Sequence, residues 1–372
     1  MTNKTLVFVG CLNQAVPHFS AANGKGIAVF EFDDTTGTLS WLAEANDPIN
    51  PTYLALLPER GMLYATSEVF GWREGLISAY RIDAASGALT LVGSRQRTRG
   101  SLSAHCNTDR QGRCAFVANY SHETPGEEPG RHVVSFSIMA DGSLTPAVSE
   151  FAHHGSGPRA DRQGVPHPHC VVASLDNRFA VVPDLGADQL VTYRIDSAKA
   201  CLVPTEVAPL RMAPGSGPRH LVFHPDGASA YVVNELSNTV CRLGYESDTG
   251  VLRLLQSVDG LPQDAAPSYA ADVLISADGR FLYATFRGAD SIGTYALDKK
   301  DGTILTASLS DSGGKTPRSF TLSPSGKFML VANQDSDMLV SLRLDPDSGQ
   351  PVEQADVLSI GTPLCVKAAR FG

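Results

Sequence analysis

One pattern recurs in GPRHLVFHPDGASAYVVNELSNTVCRLGYESDTG (217–250), AADVLISADGRFLYATFRGADSIGTYALDKKDG (270–302) and TPRSFTLSPSGKFMLVANQDSDMLVSLRLDPDSG (316–349). A strand opens at a turn, an Asp-Gly or Ser-Gly turn leads into a second strand that ends in a polar residue, and a third strand follows. A chain that repeats one such unit builds its core by stacking copies, because a single copy cannot bury its own apolar face. Equivalent residues then form rings about a common axis. A ring whose members do not match points to function.

The runs AFVAN, FAVVP, AYVVN, FLYAT and FMLVA have the length and β-branched or aromatic character of sheet strands. Asp-Gly-type pairs close the units and supply the positive-φ positions of tight turns. No long stretch shows helical periodicity with capping signals, so the chain reads as all-β. Units open near Thr52, Ala104, Pro168, Arg219, Ala271 and Arg318. The head of the chain looks like a unit without its opening strand, and the tail GTPLCVKAARFG looks like an opening strand that never continues. Joined, they make a seventh. The expectation is a single-domain, seven-bladed β-propeller over 1–372, closed by pairing of the two terminal segments, which removes the exposed sheet edges that an unclosed array would leave at its ends. An open β-solenoid is the structural alternative, but its termini have no reason to complement each other. The spacing of roughly 50 residues suits a propeller. Two insertions, 121–132 and 153–169, interrupt it and are expected to help build a binding site.

At 372 residues with 42% hydrophobic content, the chain can bury a large core. A net charge of −9 argues against a nucleic-acid or anionic-membrane surface, both of which need clustered Lys and Arg. No apolar run approaches the roughly 20 residues that span a bilayer. The N-terminus reads as a strand, not a secretory signal. Seven scattered cysteines without a CxxC pair suggest a reduced, cytoplasmic protein.

Aligned on the end of the second strand, the units place Glu68, Tyr120, Asp184, Glu235, Arg287 and Gln334 in one ring. The position is polar in every copy and different in every copy, as in a lined channel mouth; solvated strand ends are the plainer reading. At the start of the inner strand Arg219 and Arg318 are equivalent, and the next position is assigned Tyr53, His105, His169, His220, Asp272 and Ser319. His105 is expected to tie blades together through backbone carbonyls. For His220 a structural and a substrate-facing role stand level.

His169, Glu235, Arg219 and Arg287 form the expected catalytic set. Asp184, His220, Arg318, Gln334, Glu68 and Tyr120 are expected around the substrate. Guanidinium forks suit a carboxylate or phosphate and can hold charge that develops in a transition state. Imidazole and carboxylate are the usual proton carriers. No Gly-x-Gly-x-x-Gly, phosphate loop or Gly-x-Ser-x-Gly elbow is present, so neither a nucleotide cofactor nor Ser catalysis is supported. His153, His154, His167 and His169 could bind a divalent ion. The neighbouring arginines disfavour one, and no metal or cofactor is expected.

PHPHCVVASLDNRFAVVPDLGADQLVTYRID (166–196), GSGPRHLVFHPDGASAYVVNELSNTV (215–240) and RGADSI (287–292) resemble the bacterial lactonase family of seven-bladed propellers. That family takes in cycloisomerase-type 6-phosphogluconolactonases and the fungal 3-carboxy-cis,cis-muconate lactonizing enzyme. The resemblance implies an active site of one His, two Arg and one Glu, which by motif fall on His169, Arg219, Glu235 and Arg287. Membership does not separate hydrolysis of a sugar lactone from closure of a muconate lactone. The first reading is a metal-independent hydrolase of a sugar lactone, with Glu235 preferred over His169 as base and the other as acid. A carboxymuconate cycloisomerase is the alternative, and a non-catalytic binding platform a third reading. The expected partner is a small anionic lactone or carboxylate, with the protein a monomer or small homo-oligomer.

Overall fold

The computed structural model describes residues 4–17, 19–121 and 130–372. They form seven antiparallel sheets of four or five strands. In the fourth sheet Pro218–Phe223, Ser229–Asn234, Thr239–Tyr245 and Leu252–Asp259 pair in chain order. The second strand, SAYVVN, is buried throughout because both of its faces pack on neighbouring sheets. The outer strand, LRLLQSVD, is exposed or half-buried at every position beyond a buried Leu252, as an edge strand open to solvent is. Apolar clusters join consecutive sheets; one unites Phe179, Val181, Leu221, Phe223, Val232 and Leu243. The core is therefore a ring of interfaces between blades, as stacking of one unit requires.

Blades 1 to 6 begin at inner strands near residues 54, 103, 172, 218, 269 and 317. The seventh takes its inner strand, Pro363–Phe371, from the C-terminus and sets it against Lys4–Cys11, with Val366 opposite Val9. Ile27–Asp33 and Thr38–Ala45 complete that blade. The propeller and its closure by paired termini stand as expected. Among the described residues the only helical turns are the short 3-10 segments Pro58–Arg60 and Gln334–Ser336.

One device fixes how four of the blades present their inner strands. Asp188, Asn238, Asp290 and Asp337 close the hairpin between second and third strands at φ values of 47, 53, 50 and 52°. Asn and Asp tolerate this left-handed region better than other side chains. Each then reaches the next blade. Asp188 accepts from the Gly217 N–H at 2.8 Å, Asp290 from Thr316 at 2.8 Å and Asp337 from Thr362 at 2.7 Å. Asn238 donates to the Ser268 carbonyl at 2.8 Å. Gly217 and Thr316 lie two residues before Arg219 and Arg318, so the latches set the height at which those arginines enter the channel. Of the two insertions, 153–169 is described, while residues 122–129 of the first lie outside the described residues.

Candidate active site

Backbone hydrogen bonds define the rings. The Glu235 N–H donates to the Gly217 carbonyl at 2.7 Å. The same bond is made by Glu68 to Asn50, Tyr120 to Leu102, Leu185 to His167, Gln334 to Thr316 and Leu12 to Thr362. With Arg287, opposite Tyr269 at the end of its strand, the mismatched ring is Leu12, Glu68, Tyr120, Leu185, Glu235, Arg287 and Gln334. Asp184 is not a member. It bridges Pro168 as Asn234 pairs with Pro218, one residue before the ring position. Fully buried, it bonds His153 Nδ1 at 2.8 Å through Oδ2 and accepts through Oδ1 from the His167 N–H at 2.8 Å and the Ala187 N–H at 3.1 Å. It braces the second insertion. The apolar Leu185 at the true ring position is what disguised the register.

The same pairing moves His169. With Pro168 equivalent to Pro218, His169 shares its position with Arg219 and Arg318, and Cys170 takes the position of His220. A separate buried ring holds Tyr53, His105, Cys170, His220, Asp272 and Ser319. In it His220 Nδ1 meets Asp272 at 2.8 Å, and Asp272 also accepts from Ser319 Oγ at 3.1 Å. His220 thus belongs to a cross-blade tie, with one nitrogen already committed. His105 also links blades, but by accepting from the Val171 N–H at 3.4 Å and not through carbonyls.

Glu235 is the centre of the site. Its side chain, 5% exposed, pairs through Oε2 with Arg219 Nε and Arg287 Nη2, each at 2.9 Å, and through Oε1 with Arg162 Nη2 at 2.5 Å. Arg219 also donates to the Ala271 carbonyl, and Arg287 to that of Ala270 at 3.3 Å. Burial opposes ionisation of Glu235, but Arg287, Arg219 and Arg162 together hold its carboxyl far below the usual carboxylate range. Burial, reinforced by Arg287, lowers the Arg219 guanidinium to about 9 against the pull of Glu235. One carboxylate serving three guanidiniums leaves a surplus of positive charge at the channel. Tyr269, 39% exposed, lies 5.5 Å from Arg162 and 5.9 Å from Arg287, ring centroid to guanidinium.

Tyr120 links this cluster to His169. Its hydroxyl lies 3.5 Å from Arg162 Nη2, and its ring stands edge-on to His169 at 5.6 Å while stacking on His167 at 4.2 Å. His169 is buried, and its Nδ1 has no hydrogen-bond partner. Burial first, then Arg219, His220 and Arg318, push its pKa well below the ordinary histidine value, so the ring is neutral at physiological pH. A carboxylate clamped by three cations is a poor proton acceptor, whereas a neutral imidazole is a good one. Of the two, the electrostatics favour the imidazole as proton acceptor.

The remaining expected residues are placed as follows. Arg318 lies over the Phe19 ring at 4.9 Å, close enough to Arg287 and Glu235 for their charges to bear on it. Gln334 bonds Asp335 at 2.9 Å, and Glu68 keeps one buried carboxylate oxygen unpartnered. His153 engages Asp184 and the Tyr193 hydroxyl with its two nitrogens, at 2.8 and 2.9 Å, and His167 Nδ1 meets the Tyr120 carbonyl at 2.7 Å. The described residues contain no group of three or more His, Cys, Asp or Glu arranged to hold a metal ion. Two members of the site had escaped the reading of the repeats. Arg162 sits in an insertion without counterpart in other blades, and Tyr269 precedes its ring position at the strand start. Only the presence of Arg in a site-building loop hinted at the former.

Residues 7–368 match the family model "Lactonase, 7-bladed beta-propeller". The chain is 34% identical over 351 residues to 6-phosphogluconolactonase of Bacillus subtilis, covering 94% of this chain and 96% of that one. It is 32% identical over 347 residues to 6-phosphogluconolactonase of Formosa agariphila, covering 92% and 94%. The periplasmic gluconolactonase of Pseudomonas aeruginosa superposes with a TM-score of 0.87 at 34% identity over 99% of both chains. With seven blades and matches running nearly end to end, the chain belongs to the seven-bladed β-propeller lactonase family.

Proposed function

We propose that this protein hydrolyses a sugar lactone of the gluconolactone type, with or without a 6-phosphate, using His169 as its proton carrier. The observation that carries this reading is the pairing of a neutral, buried imidazole with a three-guanidinium cluster held by Glu235. The names of the relatives support the substrate class. In the reaction, Arg287 and Arg162 polarise the lactone carbonyl, and His169 Nε2 takes a proton from the attacking water as its oxygen bonds to the carbonyl carbon. The oxyanion forms beside the guanidiniums, where preorganised positive charge stabilises it without reorganisation. Collapse breaks the bond to the ring oxygen, and His169 returns its proton there. Water and lactone give the open hydroxy acid, and one side chain serves as base and then acid. Glu235 holds the guanidiniums in place and moves no proton.

The pH dependence follows from His169. Its neutral form is active, so kcat rises with pH through the histidine pKa in the substrate complex. Because that pKa is depressed, the acid limb should fall below pH 6.5, with kcat flat from there to pH 8. A limb centred at or above the ordinary histidine value, about 6.5, counts against His169 as base.

The reaction class is read by offering 6-phosphogluconolactone, gluconolactone and carboxymuconate side by side in the presence of EDTA. A pH-stat should record acid release from at least one lactone at an undiminished rate. Loss of diene absorbance from the muconate, with both lactones inert, would transfer the assignment to a cycloisomerase.

A further inference from the structure

Two buried nitrogens on adjacent rings lack partners: His169 Nδ1 and His220 Nε2. Their imidazoles stand 5.3 Å apart, centroid to centroid, at 65°. What each nitrogen can offer follows from the rest of its ring. Burial works against the charge on Asp272, yet His220 and then Lys367 keep it a carboxylate. Its oxygens can only accept, and they take the Ser319 hydroxyl at 3.1 Å and the Val273 N–H at 3.0 Å. In the 2.8 Å contact with Asp272, His220 Nδ1 must therefore be the donor. A neutral His220 then presents a bare lone pair at Nε2. His169, whose Nε2 receives the proton of water, is neutral with its hydrogen on Nδ1. One ring thus has a buried donor without an acceptor, and its neighbour has the reverse.

We infer that His169 Nδ1–H donates to His220 Nε2, directly or through one water, so that Asp272, His220 and His169 form a relay across three consecutive blades. Asp272 and His220 are positioning residues in it. They fix the tautomer of the catalytic ring and offset the positive charge it acquires when protonated. That offset is needed because Arg219 and Arg318 already bear on His169. Glu235 is committed to three guanidiniums. The other titratable neighbours are Lys367, 3.1 Å from the Tyr53 hydroxyl, the His105 and Tyr53 rings, 5.5 and 5.8 Å from His220, Tyr120, 5.6 Å from His169, and Cys170. Burial raises the tyrosine and cysteine pKa values, so none supplies negative charge at neutral pH. No proton leaves His220 in the cycle; it accepts a hydrogen bond that strengthens as His169 becomes cationic.

This inference rests on His169 being the base, and the two are separable by experiment. Asp272→Asn and His220→Gln are made in the full chain and assayed on the lactone the wild type turns over, with Asp272→Glu as the conservative control. Nitrogen-15 NMR of the histidine rings is recorded on the wild type. The expected result is a fall in kcat of at least tenfold in both variants with KM within twofold, partial recovery in Asp272→Glu, and a wild-type His169 that carries its hydrogen on Nδ1. Folded variants with kcat within twofold of wild type, or a wild-type His169 with its hydrogen on Nε2, overturn the relay. If the variants do not fold, the wild-type tautomer decides. Absence of lactone turnover in the wild type instead overturns the hydrolase reading, and the tautomer still tests the hydrogen bond.

Discussion

Deleting residues 363–372 is expected to leave no cooperatively folded ring. The strand Pro363–Phe371 is the inner strand of the seventh blade, and its loss strips a full ladder of hydrogen bonds from Lys4–Cys11. Leu364, Val366 and Phe371 are each buried to 5% exposure or less. Burying a side chain of this kind contributes about 1.5–3 kcal/mol. Three together approach the about 5–15 kcal/mol by which a typical domain is stable. The deletion also exposes the edge of a central, apolar strand, which invites intermolecular pairing. A thermal melt of the truncated chain should show no transition at the wild-type temperature, and gel filtration should show aggregate. An unchanged melting temperature would mean that the ring is closed by something other than its termini.

Replacing Glu235 with Ala should cost both stability and turnover. Arg219 is 2% exposed, and Arg287 and Arg162 are only partly open to water. Removing the shared carboxylate leaves like charges packed together with their desolvation uncompensated. Breaking a buried ion pair from one side costs about 3–5 kcal/mol. Glu235→Gln keeps the shape but not the charge, so chemical denaturation should rank wild type above Gln above Ala. kcat should fall at least tenfold in Gln, because the guanidiniums lose the geometry that receives the oxyanion. Equal midpoints in all three proteins would show that the cluster is not held by Glu235. The sign with pH is fixed by direction: Glu235 and Asp272 titrate below their unfolded values. Their contribution is complete above the unfolded carboxyl values, about pH 4, and disappears in stronger acid.

Much of this is legible in the sequence, and where it is not the causes are particular. The blade count and the split seventh blade follow from turn residues and β-branched runs, which are local and repeat faithfully. Asp184 was misplaced because FAVVPD ends on a carboxylate one residue early, while the ring position holds the apolar Leu185. His169 was placed beside His220 for a related reason: a histidine was matched to a histidine. Pro168 and Pro218 are the true markers, since each sits opposite the last residue of its second strand. Arg162 lies in a segment that no other blade possesses, so no alignment of copies could reach it. That one carboxylate meets three guanidiniums is a fact of distance and burial that side-chain identity does not encode.

The proposed place of lactone hydrolysis is the set of mismatched positions of the repeat, with His169 as the proton carrier. The most direct measurement is kcat for His169→Asn on the lactone that the wild type hydrolyses, with folding checked by its melting temperature. Loss of a general acid–base side chain predicts a fall of about 10²–10⁴ with the fold retained. A folded variant whose kcat stays within twofold of wild type would contradict the account.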